Sequence, residues 1–493
     1  MSWTIEKDAS HGPSRADASH QMNAVVIGSG PNGLAAAIVC AMAGLRVTVF
    51  EAEAAIGGGA RTTAVTLPGF RHDHCSSVFP LGIASPFFRA LPLHEHGLEW
   101  VQPPYPLAHP LEDGSAIVVE RSLAATAAGL GADARAYEQL FAPLVRDWEL
   151  LVSDVLAPLR WAGDPWLLAR FGAAAAQPAT WLARRFRTTA ARAVFAGVAA
   201  HSGESLDAPL TSAFALLLGT LAHAVGWPVA RGGAQSIADA LAGRLLALGG
   251  EIVTSHRVES LAGLPPATIT LCDVAPEQLA TLAAGRLPSP FTARLRRFRR
   301  SSASFKIDWA LDGPIPWRAE ACARAATVHV GGTLEEIAAS EAAAREGRVS
   351  DRPFVIVTQP SVCDDTRAPS GSHAAWGYCH VPLGTTVDMT AAIERQIERF
   401  APGFRARVVA RHVVSPAALA RGNPNFVGGD ISGGAYTIRQ FVARPTWRRY
   451  GTPVDGVYLC SASTPPGAGV HGMCGYWAAR TALARLNHEA GTR

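Results

Sequence analysis

The chain reads as α/β: a Rossmann-type nucleotide-binding domain into which an α+β domain is inserted. Three observations predict it. A β-branched run, Met22 to Ile27 (MNAVVI), passes directly into Gly28-Ser29-Gly30-Pro31-Asn32-Gly33 and then the apolar stretch Leu34 to Val39, which is strand, glycine turn and helix. A second run, Leu45 to Phe50 (LRVTVF), ends on Glu51. Near the C-terminus a third run, Gly456 to Cys460, leads through a glycine-rich loop into an Ala-rich helix over 475–486.

In the first element, Gly28 permits the tight turn, Gly30 lets a diphosphate approach the backbone, and Gly33 lets helix and strand pack closely. Pro31 and Asn32 lie between them at the helix N-terminus, whose free N–H groups and partial positive charge favour phosphate. Glu51 stands where an acid accepts both ribose hydroxyls and disfavours a 2′-phosphate. Ala52 follows, and then a second glycine cluster, Gly57-Gly58-Gly59-Ala60-Arg61. Gly58 and Gly59 allow another close backbone approach, and Arg61 can neutralise a diphosphate.

Here the sequence resembles the flavin-dependent amine oxidase and phytoene desaturase superfamily, most closely bacterial phytoene dehydrogenase-like NAD(P)/FAD-dependent oxidoreductases. GGGARTTAVTLPGFRHDHCSSVFP carries the likeness at one end and PPGAGVHGMCGYWAA at the other. The resemblance implies FAD rather than NAD as cofactor and a two-domain architecture. It implies flavin contacts from the loop containing Gly469, Val470, Gly472 and Met473, and a strand under the adenine from 251–253, with contacts near Val258. Many relatives bind ribitol through a Gly-Asp that follows the C-terminal strand. Ser461-Ala462 stand there instead, so Ser461 or Ser463 is expected to do that work.

The cofactor domain is accordingly expected from 22–84, 228–300 and 415–493, and a substrate domain from 85–227 and 301–414. In the latter, Ser304 to Leu311 (SFKIDWAL) alternates, with Phe305, Ile307, Trp309 and Leu311 on one face and Lys306 with Asp308 on the other. Only Lys7 and Lys306 are lysines among 44 basic residues. In the amine oxidase branch a lysine on the comparable strand reaches flavin N5 through water. The resemblance thus makes Lys306, held by Asp308, a catalytic candidate. A solvated pair on an edge strand is the alternative. His72, His74 and His471 stand in loops expected to line the flavin. His471 is the candidate proton acceptor, although a satisfied loop residue is the plainer reading of each.

Composition bounds the rest. At 493 residues, with 48% hydrophobic and 17% charged, the chain can bury more than one core. Forty-four basic residues against 40 acidic are too balanced for nucleic acid. Eight cysteines without a CxxC predict free thiols and no metal site. Residues 1–21 read as a polar, disordered tail without a signal peptide's apolar core, and the chain is expected in the cytoplasm. Ser212 to Trp227 falls short of the roughly 20 residues of a membrane span and reads as a buried helix.

Trp161, Trp166 and Trp181 among arginines in 158–195 fit either a domain cap or peripheral membrane contact. Arg294, Arg296, Arg297, Arg299 and Arg300 read as a solvated helix face. The function expected is FAD-dependent removal of hydride from a largely apolar small molecule, with oxygen or a quinone as electron acceptor. Amine oxidation, flavin-dependent isomerisation and a redox-silent FAD-binding scaffold are the competing readings. Oligomeric state leaves no trace in the sequence.

Overall fold

A computed structural model describes residues 22–159 and 163–491. Five short strands form one parallel sheet, in the spatial order Val457–Leu459, Ile269–Cys272, Asn23–Ile27, Arg46–Phe50, Glu251–Val253. β-Branched runs buried on both faces are what a parallel sheet requires. Helix Pro31–Met42 covers the sheet and packs against Met473–Gly491 and Gln235–Ala247. Leu34, Ile38, Ile237, Leu241 and Leu271 share this core. The C-terminal helix comes close enough that a Cβ on Gly475 would lie 1.8 Å from the Asn32 carbonyl oxygen, so only glycine fits there.

The second sheet has seven strands, in the order Val408–Val414, Ala303–Leu311, His373–Val381, Val355–Thr358, Ala325–Val330, Tyr105–Pro110, Ala116–Val119. Its neighbours are antiparallel except Ala325–Val330 beside Tyr105–Pro110. Helices between residues 134 and 224 pack around a core with Phe141, Phe195, Leu216 and Trp227. All strands of the parallel sheet fall within 22–84, 228–300 and 415–493, and all strands of the mixed sheet within 85–227 and 301–414. The architecture is a Rossmann-type domain carrying an inserted α+β domain.

Three readings need correction. Ala303–Leu311 is not an edge strand: it lies between two neighbours and is buried along its whole length. Its polar face is covered by the short hairpin strand His72–Asp73 rather than by water, with His72 Nδ1 3.7 Å from Asp308 Oδ1. Arg300 is not solvated either. It is buried, paired with Glu277, and 3.8 Å from Asp430. Finally, Ile269–Cys272, beside the first strand in the parallel sheet, is an element the sequence reading lacked.

The run Ser212 to Trp227 contains helix Thr211–Ala224, buried along most of its length. No helix among the described residues is long and apolar enough to cross a membrane. In the Trp/Arg segment, Trp166 is 86% exposed and Trp181 58%; Arg160 and Trp161 lie outside the described residues, as does the expected tail over 1–21.

Candidate active site

The nucleotide cleft opens where the parallel strands end. Gly28 adopts φ +96°, and its N–H donates to the Phe50 carbonyl at 2.8 Å, which turns the chain over the sheet. A Cβ on Gly33 would sit 2.1 Å from the Gly28 carbonyl oxygen, and one on Gly58 would sit 3.2 Å from Gly30 Cα. The two glycine clusters therefore form one cradle. The N-cap residue, Gly30, supplies no side chain to cap the helix. The Glu51 carboxylate is fixed beside it: Oε2 accepts from the Ser29 N–H (2.9 Å) and hydroxyl (2.5 Å), and Oε1 from the Glu53 N–H (2.9 Å). Oε1, with a single donor, retains lone-pair capacity for a ribose hydroxyl.

Arg61 donates through Nε to the Gly58 carbonyl (2.8 Å), pinning the second cluster from within the cleft wall. Pro31, Asn32, Ala52, Gly59, Val258, Ser461, Ser463, Gly469 and Val470 also line the cleft. Ser463 Oγ donates to the Gly433 carbonyl (2.9 Å), whereas Ser461 Oγ accepts from the Ser463 N–H (3.4 Å). That leaves the Ser461 hydroxyl proton as the one for a ligand.

Gly472 and Met473, which the resemblance sets beside the flavin, are not among the residues that line the cleft. Gly33 serves the helix–strand approach. Gly472, at φ +69°, packs against Phe88 and Ala35, and Met473 lies in the core. The Met473 N–H is spent on His471 Nδ1 at 3.0 Å, so the helix terminus is extended by an imidazole. Burial lowers His471 to about 4. The neutral ring, accepting at Nδ1, must carry its proton on Nε2. His471 is thus placed as a hydrogen-bond donor, not as the proton acceptor expected of it.

A second cavity of about 600 Å³ joins the cleft, and both are lined by Cys75, Ser76, Ile431, Ala468, Gly469 and Val470. Its walls are mostly apolar, including Phe79, Leu168, Phe171, Phe214, Trp376, Tyr378 and Tyr436. Arg444, His201, His380 and His471 also line it. Asp154 is the single carboxylate among its described lining residues.

Lys306 and Asp308 stand one layer behind this wall. The ammonium donates to Asp308 and lies 4.9 Å from the centre of the Trp376 ring, which does face the cavity. Burial alone would raise the Asp308 carboxyl, but Lys306, His412 and His72 outweigh it and hold it below the ordinary carboxylate value. The sequence placed Lys306 at the flavin; the structure directs its charge to Asp308 and Trp376. His72 and His74 line neither cavity and bond to Thr66 (2.8 Å) and Thr63 (2.9 Å). Burial lowers both to about 4.

Sequence reasoning missed Asp273 and Asn425. Asp273 follows strand Ile269–Cys272 as Gly28 and Glu51 follow theirs, and its Oδ2 takes the Gly33 N–H at 3.0 Å inside the cleft. The β-branched run ending in an acid (ITLCD) was the available signal. Asn425 clamps the same turn, donating to the Asp273 carbonyl and accepting from the Ala275 N–H; no spacing pattern announces it.

Comparison with known proteins agrees with this geometry. Residues 26–91 match the NAD(P)-binding Rossmann-like domain family. Over 95% of this chain and 94% of the relative, the sequence is 27% identical to mouse (Mus musculus) pyridine nucleotide-disulfide oxidoreductase domain-containing protein 2. The fold is similar to an oxidoreductase from Methanosarcina mazei (TM-score 0.65, 17% identity, 94% of this chain and 100% of that one). It is also similar to cyclohexylamine oxidase from Brevibacterium oxydans (TM-score 0.57, 14% identity, 96% and 100%). The fold likeness extends over nearly the whole chain, and the family match falls on its first Rossmann-like unit.

Proposed function

We propose that the chain is an FAD-dependent oxidoreductase that removes hydride from a largely apolar small molecule, in the manner of a dehydrogenase or desaturase. The observation that carries this is the junction of a glycine-cradled nucleotide cleft with an apolar cavity at Cys75–Ser76, Ile431 and Ala468–Val470. The residues fit the cofactor. Gly28, Gly30, Gly58 and Gly59 present bare backbone to the cleft, and Asn32 Oδ1 is a buried polar atom without a partner. Bound FAD would supply the hydride acceptor.

The chain's own residues then have separate tasks. Glu51 holds the ribose, Arg61 and the helix N-terminus face the diphosphate, and the Ser461 hydroxyl is offered to the ribitol. His471 Nε2–H is a neutral donor at the junction, where charge on a reduced ring would be stabilised. The apolar walls exclude water. Oxygen or a quinone is the proposed acceptor. Amine oxidation is the second reading, favoured by the Trp376 and Tyr378 rings stacked 5.9 Å apart in the wall, a surface that can seat a neutral amine.

The test is a visible spectrum of the purified protein followed by anaerobic substrate screening; a colourless protein that cannot be reconstituted with FAD would overturn the proposal. Lys306 enters as a positioning residue for Trp376. Lys306→Met is expected to slow flavin reduction about tenfold or more. Because it strands a buried carboxylate, the double change with Asp308→Asn should recover stability without recovering the rate. Wild-type reduction kinetics in either variant would remove Lys306 from the mechanism.

A further inference from the structure

The wall of the apolar cavity holds a pair of groups that cofactor binding does not use. Trp376, Tyr378 and His380 follow at two-residue intervals on strand His373–Val381, so they share the face turned to the cavity. Behind His380 lies Glu341, on helix Leu334–Arg345, with 1% of its surface exposed. His380 Nδ1 and Glu341 Oε2 are 2.7 Å apart, and Glu341 Oε1 has no partner. The carboxylate oxygen beside Nδ1 is an acceptor, so in the neutral ring Nδ1 carries the proton and Nε2 the lone pair. No hydrogen bond from the described residues occupies Nε2. The side chain that lines the cavity is therefore an imidazole oriented by a buried acid, the arrangement that makes a histidine a proton acceptor.

A Cβ on Gly203 would lie 3.6 Å from His380 Nε2 and 2.8 Å from Ser301 Oγ, which places Ser301 in the same neighbourhood. The Ser301 N–H donates to Asp430 (3.2 Å), one residue before Ile431, which lines both cavities. The charged and titratable groups around the ring are Glu341, Glu204, Asp430, His201 and Tyr378, whose ring centre is 5.4 Å away. Burial lowers His380, but Glu341 first, then Glu204 and Asp430, outweigh it and leave the ring above the ordinary histidine value. The cavity is poorly suited to an ammonium group: Arg444 lines it, and Asp154 is its one carboxylate among the described residues.

We infer that His380 is the proton acceptor for an apolar substrate bearing a hydroxyl on the carbon that is oxidised, with Glu341 as its positioning residue. This rests on the flavin reading above. The substrate O–H bond breaks and its proton joins Nε2. The freed electron pair completes a C=O bond as the adjacent C–H pair leaves as hydride to the oxidised flavin. An amine needs no such base in its neutral form, whereas an alcohol does.

The test uses FAD-loaded protein labelled with ¹⁵N-histidine, with 1-decanol, decylamine and decane as probes. The ring absent from His380→Asn should be Nδ1-protonated at high pH and titrate above an ordinary histidine. In Glu341→Gln it should fall below its wild-type value. 1-Decanol should shift the Nε2 resonance and decane should not. His380→Asn should bind 1-decanol about tenfold more weakly, roughly the loss of one hydrogen bond to a buried group. An Nε2-protonated tautomer, a titration unchanged in Glu341→Gln, or 1-decanol that does not bind or binds equally well to His380→Asn would overturn the assignment. Decylamine binding more tightly than 1-decanol would overturn the hydroxyl class. Should His380→Asn not fold, Glu341→Gln still reads the tautomer and titration. A protein that cannot take up FAD fails the cofactor reading instead, which its visible spectrum reports separately.

Discussion

Arg367→Met is expected to destabilise the fold by about 3–5 kcal/mol, the usual cost of removing one partner of a buried ion pair. Arg367 and Asp73 are both fully buried and bonded to one another. Asp73 also accepts from the Ser77 and Thr62 hydroxyls and from the Ala234 N–H (2.9 Å). One carboxylate thereby ties the hairpin after the glycine cradle to the start of helix Gln235–Ala247 and to the turn at 364–367 in the inserted domain. Burial would raise this carboxyl, but Arg367 and its hydrogen bonds hold it below the ordinary value. A depressed acid contributes stability that is present above the unfolded value of about 3.9 and lost as pH falls through the folded one. The deficit of Arg367→Met should therefore be largest near neutrality and shrink in acid. Adding Asp73→Asn should restore most of it. Urea unfolding at pH 7 and pH 4 reads both effects; a single variant within about 1 kcal/mol of wild type at pH 7 would show that the pair is not the tie described.

The nucleotide cleft was legible because its chemistry is local. Gly28, Gly30 and Glu51 announce themselves through strand, turn and acid at fixed spacing, and the structure places them as that spacing demands. What failed to show was anything whose meaning depends on a distant segment. The alternation of 304–311 was real, but an exposed polar face and one covered by the His72–Asp73 hairpin give the same pattern. Gly33 was legible as the packing glycine, whereas Gly472 was set beside the flavin by the resemblance alone. A Cβ on either would meet protein, the Gly28 carbonyl at Gly33 and Phe88 at Gly472. His380 and Glu341 are 39 residues apart, on a strand and a helix, and no periodicity connects them. Strand Ile269–Cys272 was a different failure, since its β-branched run ending in Asp273 was visible but carried no glycine signature.

That overlooked acid carries the second large effect. Burial first, and then the charge of Glu51, raise Asp273 from the ordinary carboxyl value to about 7, against the opposing Gly33 N–H. It stands at the helix terminus where a diphosphate would lie, with Oδ2 2.7 Å from where a Cβ on Gly30 would be. Ionised, Asp273 repels the diphosphate; protonated, it can donate to it. FAD affinity of the wild type is therefore expected to fall about tenfold as pH rises from about 6 to 8.5. Asp273→Asn keeps an acceptor for the Gly33 N–H but carries no charge, so its affinity should be flat with pH and tighter at 8.5. Stability follows the same sign. The folded state retains a proton that the unfolded chain has lost between about 4 and 7, so stability declines across that window and is level above it. At pH 8 Asp273→Asn should gain up to a few kcal/mol, converted at about 1.4 kcal/mol per pKa unit. Flavin fluorescence titrations across this range decide the matter: parallel pH dependence in the two proteins would mean that Asp273 does not titrate against the cofactor.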